Sequence, residues 1–216
     1  SLFLILLSIA IISCSSSQNY YVESDYSQEK LNTSVLVVPL QSSWFEGNLT
    51  HTFGSLSGTA QTTFYNSFGS ILSGKVNSDV KMIDSEQFYN ADYFQPSKLK
   101  FGKDSLDVLL PTNTSNFDAS EFNPEVVLLL DKFYFRKQTT STPSSTYSGH
   151  EGSTKSYKLY FETNYVFWHT QKQKAIAWGN TNSSVDLSSP NSSDSVPYYE
   201  AITKAIEKLS KQGPII

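Results

Sequence analysis

The chain is poor in the residues on which most catalytic and metal sites depend. Its 216 residues include a single cysteine, Cys14, and three histidines, and Arg136 is the only arginine. One cysteine excludes an internal disulfide and any cysteine-based zinc or iron–sulfur site. Charged residues make up only 17 % of the chain, and the net charge of −4 comes without a basic run. Because nucleic acids are bound through clustered positive charge, this composition disfavours a nucleic-acid partner.

The sequence does contain enough apolar material for one folded domain. Apolar residues make up 38 % of the chain and aromatic residues 14 %, and each aromatic side chain can bury a large area. The length fits a single domain that carries an additional segment.

The first residues have the pattern of a bacterial lipoprotein signal. Leu2 to Ile12 is an apolar run of eleven residues, too short to cross a bilayer and typical of a signal-peptide core. Ser13 and Cys14 follow, as in a lipobox, and the chain then becomes polar. The alternative is that Cys14 is a small residue in a buried helix, which would not explain this abrupt change. We therefore predict a signal peptide over 1–13, lipidation of Cys14 and a flexible tether over 14–32. Ser15, where inner-membrane lipoproteins carry Asp, favours the outer membrane, with the protein facing the periplasm.

The rest of the chain predicts an α/β (α+β) domain over 33–216. Short apolar or alternating runs indicate strands, and apolar stripes at helical spacing indicate helices. The predicted strands are 34–40, 79–84, 125–136, 156–169 and 174–182, and the predicted helices are 59–73 and 197–212. We expect a single mixed sheet of about five strands packed by two helices. Residues 85–123 interrupt this pattern and are predicted to be an insertion. Residues 139–156, which are rich in Ser, Thr and Gly, are predicted to be a flexible hairpin connection.

Three of these segments carry a resemblance to a known envelope domain. They are the apolar runs Val35–Val38 and Val126–Leu130, and the strand–turn–strand stretch Tyr157–Trp178. Their order resembles the TolB-N-terminal-like domain of the penicillin-binding-protein activator LpoB and of the curli secretion protein CsgG, and is similar to lipoproteins of Bacteroidota. The turn at Gln171–Lys174 departs from that pattern because it lacks the usual Thr-Gly. The resemblance implies the fold, and it implies a role in binding or assembling other envelope proteins.

The residues offer no recognisable catalytic or metal site. His51 and His150 fall in predicted loops without metal-ligand spacing, so solvated side chains are the simpler interpretation, and His169 is expected to flank a turn. Asp131 follows five apolar residues. It could be a buried carboxylate with a raised pKa, although such an aspartate more often marks the point where a strand leaves the core. We predict no enzyme activity, no metal and no cofactor other than the lipid on Cys14.

Aromatic residues in the predicted loops are the one positive sign of a binding surface. Trp44 and Phe45 follow the first strand, and Tyr89, Tyr93 and Phe94 lie in the insertion. Such residues can anchor a partner, or they can cap the core locally. The sequence therefore predicts a membrane-anchored interaction or regulatory module whose partner is an envelope protein, working through 44–46 and 85–123. The alternative is an envelope protein that handles lipid or glycan, similar to the assembly lipoprotein LptE.

Overall fold

The computed structural model describes residues 19–40, 58–82, 93–113, 115, 117, 122–145, 151–192 and 194–215. The predicted signal peptide, Cys14, and the aromatic residues Trp44, Phe45 and Tyr89 lie outside these described residues, as do His51 and His150. Among the described residues, no helix is both long and apolar enough to cross a membrane.

Eight strands and three helices follow one another along the described chain. They are β1 (Tyr20–Val22), α1 (Ser24–Gln28), β2 (Ser34–Pro39), α2 (Gly58–Ser73), β3 (Asp79–Met82), β4 (Phe94–Phe101), β5 (Asp104–Pro111), β6 (Val126–Ser145), β7 (Glu151–His169), β8 (Lys174–Leu187) and α3 (Val196–Gln212).

Six of the strands form one mixed sheet in the order β1-β8-β7-β6-β2-β3. The strand β2 is parallel to both β3 and β6, whereas the β6–β7, β7–β8 and β1–β8 pairs are antiparallel. The predicted mixed sheet is confirmed, and all five predicted strands belong to it. The structure adds β1 as a sixth strand and a separate two-stranded sheet of β4 and β5.

The first face of the sheet is covered by α2 and α3, as their apolar stripes predict. The stripe of α3 is fully buried and consists of Tyr198, Ala201, Ile202, Ala205, Ile206 and Leu209. From α2, Phe64 stacks on Phe133 of β6 with ring centroids 4.7 Å apart. Both helices share one hydrophobic core with the sheet, so the expectation that they cover a common face is confirmed.

The second face is covered by the β4–β5 hairpin, which lies within the insertion predicted at 85–123. Phe94, Val108 and Phe117 pack over a layer of sheet residues and form a second hydrophobic core. That layer consists of Leu36, Val38, Leu40, Val127, Leu129, Val166 and Trp168. The described part of 85–123 is therefore largely structural, because without it this apolar face would be open to water.

The described part of the predicted tether is folded. We define residues 19–31 as the docked segment: β1 adds to the edge of the sheet beside β8, and Tyr26 of α1 is buried in the first core. Leu31 then forms an isolated bridge with Ile215 at the opposite end of the chain. The prediction of a flexible tether up to residue 32 is wrong for this segment, because its apolar side chains and backbone groups find partners on the domain.

The hairpin predicted at 139–156 is observed, but the prediction that its described part is flexible is wrong. The strand β6 continues to Ser145 and β7 begins at Glu151, and the two remain paired to their ends. Threonine is a good strand former, so a Ser- and Thr-rich sequence does not prevent the ladder from continuing. We call the paired segments Thr140–Ser145 and Glu151–Ser156 the ribbon.

Candidate interaction surface

The carboxylate of Asp131 is buried, and its pKa is raised. Asp131 is 1 % exposed, and neither of its carboxylate oxygens accepts a hydrogen bond from a described group. Burial raises its pKa from 3.8 to about 7, although the Lys132 charge and the nearby amides of Lys132 and Leu109 act in the opposite direction. Of the two interpretations that the sequence left open, the buried carboxylate is therefore the one observed.

Asp131 lies at the end of a polar row on the second face of the sheet. Asp131 is paired with Asn164, which is in turn paired with Asn180. The side-chain amide of Asn180 donates from Nδ2 to Asn164 Oδ1 over 3.1 Å. The ladder register shifts directly after Asp131, and Lys132 has a φ of 51°. From there Lys132 Nζ donates to the Asp107 carbonyl oxygen of β5 over 3.2 Å. The row thus marks the place where the hairpin is attached to β6.

A second buried titratable group, His169, lies at the end of β7. It is 4 % exposed, and its Nε2 lies 3.7 Å from Glu125 Oε1. The other oxygen of Glu125 accepts a hydrogen bond from the Thr33 hydroxyl, while His169 Nδ1 has no hydrogen-bond partner. Burial, followed by the charge of Lys172, lowers the pKa of His169 from 6.5.

The two groups do not form a common site. Asp131 is opposite Asn164 and His169 is opposite Val126, so five strand positions, or roughly 17 Å, separate them along the sheet. No three His, Cys, Asp or Glu residues in the described chain are grouped so that they could hold a metal ion. The geometry therefore does not bring Asp131 and His169 together, and the carboxylate near His169 is that of Glu125.

Only two of the predicted aromatic anchors lie in the described chain. Phe94 is 7 % exposed and belongs to the second core, and Tyr93 packs against that core while partly buried. The interpretation that these side chains cap the core, which the sequence left as the alternative, is the one that the packing favours for Phe94. Trp44, Phe45 and Tyr89 remain a prediction.

The ribbon continues the β6–β7 pair beyond the end of β8. The strand β8 ends at Leu187, opposite Tyr157, so no described strand pairs with the outer edge of Glu151–Ser156. Residues 140–143 and 153–156 are all exposed, and six residue pairs extend roughly 20 Å. Unpaired backbone groups along such an edge are a ready template for another strand.

This surface is not predicted from the sequence, because it is formed by backbone groups and the sequence patterns report side chains. Thr140, Thr142 and Thr154 are the good strand formers in the two paired segments, and they stand among Ser, Pro and Gly, so the side chains give little sign of a strand here.

Comparison with known proteins adds little to this description. No protein-family model matches the chain, and no curated protein matches it. Among solved structures, a PelC dodecamer from Paraburkholderia phytofirmans matches with a TM-score of 0.37 and 8 % sequence identity, covering 86 % of this chain and 93 % of that chain. A TM-score of this size does not establish a shared fold.

Proposed function

We propose that this protein is a non-catalytic, lipid-anchored interaction module of the bacterial cell envelope that binds a protein partner through its ribbon. The observation that carries the proposal is the outer backbone edge of Glu151–Ser156, which lies beyond the end of β8 and with which no described strand pairs. The partner would add a strand to this edge, so its affinity would come mainly from backbone hydrogen bonds.

Physical considerations favour a partner at this edge. A two-stranded ribbon alone is marginally stable in water, and a third strand is normally required. The exposed residues 153–156 are Ser, Thr, Lys and Ser, which supply little apolar area for packing. A strand that pairs with β7 would satisfy the outward N–H and C=O groups and complete a three-stranded sheet.

The location rests on the sequence. The apolar run that ends at Ser13 and Cys14 predicts an acylated cysteine, and the two or three acyl chains of a lipoprotein give stable membrane attachment. Replacing Cys14 with Ala should move the protein from the membrane fraction to the soluble fraction. An unchanged distribution, with an unmodified Cys14 in the mass spectrum of the parent protein, would contradict the anchor.

Strand addition can be tested by comparing proline with alanine on β7. A photo-crosslinking residue at Ser153 would report partner capture in intact cells, with Thr154 and Lys155 each replaced by Pro or by Ala. Neighbouring N–H groups of a strand point to opposite edges, so one of the two prolines removes an outward donor and leaves the β6–β7 ladder intact.

Of the two proline variants, one should keep the β6–β7 amides protected from hydrogen exchange, because its proline removes an outward N–H. That variant should abolish the crosslink, whereas both alanine variants should retain it. Loss of the crosslink in the alanine variants would show side-chain recognition instead. A retained crosslink in both proline variants would exclude strand addition. The alternative of a lipid- or glycan-handling protein stays a prediction, since no feature of the described residues favours it.

A further inference from the structure

We infer that the tip of the β4–β5 hairpin and the neighbouring strand β1 form a surface that lies against anionic lipid headgroups. The inference rests on the proposed lipid anchor at Cys14 and extends it, because it assigns an orientation to the domain on the membrane. We call this the headgroup surface: Tyr21, Trp178, Lys98, Lys100 and Lys103.

The first step is the length of chain between the anchor and the fold. Asn19 follows Cys14 by five residues, which span at most about 18 Å when fully extended. The Asn19 carbonyl oxygen accepts a hydrogen bond of 2.9 Å from the backbone N–H of Asn180. The β1 edge of the sheet is therefore held within about 18 Å of an acylated Cys14.

The second step is that the docked segment is held on the domain, so it does not lengthen the flexible connection to Cys14. Tyr20–Val22 pairs with β8, and the Glu23 amide donates to the Ile176 carbonyl oxygen over 2.9 Å. Lys174 Nζ lies 2.5 Å from Glu23 Oε2, and Lys30 Nζ donates to the Ser210 carbonyl oxygen over 2.8 Å. The segment is fixed to the domain at both of its ends.

The third step places the hairpin tip beside this edge. Trp178 of β8 donates from Nε1 to the Lys100 carbonyl oxygen over 3.1 Å. Tyr21 of β1 stacks on the same indole, with ring centroids 4.4 Å apart, and is 39 % exposed. The turn at Gly102, which has a φ of 57°, thus lies on the side of the domain at which the chain arrives from Cys14.

The fourth step is the chemistry of the surface. Lys98, Lys100 and Lys103 are exposed, as are Asp104 and Asp107, and Lys98 Nζ lies 3.3 Å from Asp107 Oδ1. Three lysines against two aspartates leave one positive charge here, whereas the whole chain carries −4. Lysine is attracted to anionic headgroups, and Tyr and Trp favour the membrane–water interface. Charge and aromatic character both select a lipid surface for this side.

The experiment uses the full lipidated protein, in which acylation leaves any introduced cysteine as the only free thiol. A fluorophore is placed at Ser105→Cys, an exposed position beside the hairpin turn that leaves all three lysines in place, or at Lys204→Cys, an exposed position of α3 on the opposite face of the sheet. Both proteins are inserted into vesicles of phosphatidylethanolamine and phosphatidylglycerol that contain a lipid-borne quencher. The mass of the Cys14 peptide is measured first.

With Cys14 acylated, quenching at position 105 should be at least threefold that at position 204. Lys100→Glu should reduce the quenching at position 105, whereas the control Lys155→Glu on the ribbon should not. Equal quenching at the two sites would overturn the inference while leaving the anchor standing. Quenching that Lys100→Glu leaves unchanged would contradict the inference that the headgroup surface binds anionic lipid headgroups. An unmodified Cys14 would overturn the proposed function and, with it, this inference.

Discussion

At the scale of single residues, Asp131 is expected to dominate the pH dependence of stability. Its folded-state pKa of about 7 exceeds the unfolded value of 3.8, so the folded protein holds the additional proton between these values. Its contribution is therefore fully present below pH 3.8 and is lost as the pH rises to about 7, by up to roughly 4 kcal/mol. Asp131→Asn should remove this slope and raise the unfolding free energy at pH 8, as measured by denaturant titration at pH 5 and pH 8.

His169 provides the internal control for that measurement. Its folded-state pKa is depressed, so its contribution is present above pH 6.5 and is lost as the pH falls below that value. In Asp131→Asn the remaining slope between pH 5 and pH 8 should therefore be reversed, with stability rising with pH. An unchanged slope in the variant would show that Asp131 is not protonated in the folded protein.

Gly179 is the residue on which docking of the N-terminal segment depends. A Cβ atom at this position would lie 2.6 Å from the Asn19 carbonyl oxygen and 2.7 Å from the Cβ of Tyr20. Gly179→Ala should therefore displace β1, at a cost of about 1–3 kcal/mol, and expose residues 19–31 to rapid hydrogen exchange. Gly74→Ala is the matched control, since its nearest contacts are ordinary at 3.6 Å. Equal protection in both variants would refute the predicted role of Gly179.

At the scale of elements, the β4–β5 hairpin should behave as part of the core. Phe94 is 7 % exposed and lies in the second core, so Phe94→Ala should lower the unfolding free energy by roughly 3 kcal/mol. Gln95→Ala, at an exposed position of the same strand, should change it by less than about 0.5 kcal/mol. Similar effects in thermal melts of the two variants would mean that the hairpin is not packed on the sheet.

The long apolar and periodic elements are the ones that the sequence predicts well. The apolar runs in β2 and β6, the alternation in β7 and the apolar stripe of α3 each result from burial in the sheet or against it. The residues of each element therefore show its type and its buried face. The short strand β1 and helix α1 have no such pattern. They are stabilised by contacts with Gly179, Ile176 and Ser210 that are distant in sequence.

The candidate surfaces were predictable only in part, for the same reason. The sequence identified aromatic residues in 85–123, but it could not show that Phe94 faces the second core. It marked Asp131 as unusual, yet the hairpin that buries this carboxylate is remote in sequence. The ribbon edge is a backbone feature, set by where β8 ends relative to β7, and side-chain patterns do not report it.

At the scale of the whole molecule, the ribbon should be removable without loss of the fold. Thr139 is paired with Tyr157, so an Asn-Gly turn between them closes the shortened hairpin in the geometry of a two-residue loop. This variant should retain the near-ultraviolet circular dichroism and thermal midpoint of the parent, because neither hydrophobic core includes a described residue from 140–156. It should no longer capture the partner. A shortened protein that still captured it would place the binding surface elsewhere.

The position of the domain on the membrane should depend on tether length. The headgroup surface carries a single excess positive charge, so its own affinity for lipid is weak, and proximity is set by the short connection to Cys14. Inserting twenty Gly and Ser residues between Ser17 and Gln18 gives a flexible connection whose ends are separated by roughly 28 Å on average. Quenching of the Ser105→Cys label should then fall to that of the Lys204→Cys label, while Cys14 remains acylated and the protein stays with the vesicles. Quenching that survived the insertion would show instead that the headgroup surface binds lipid without the help of a short tether.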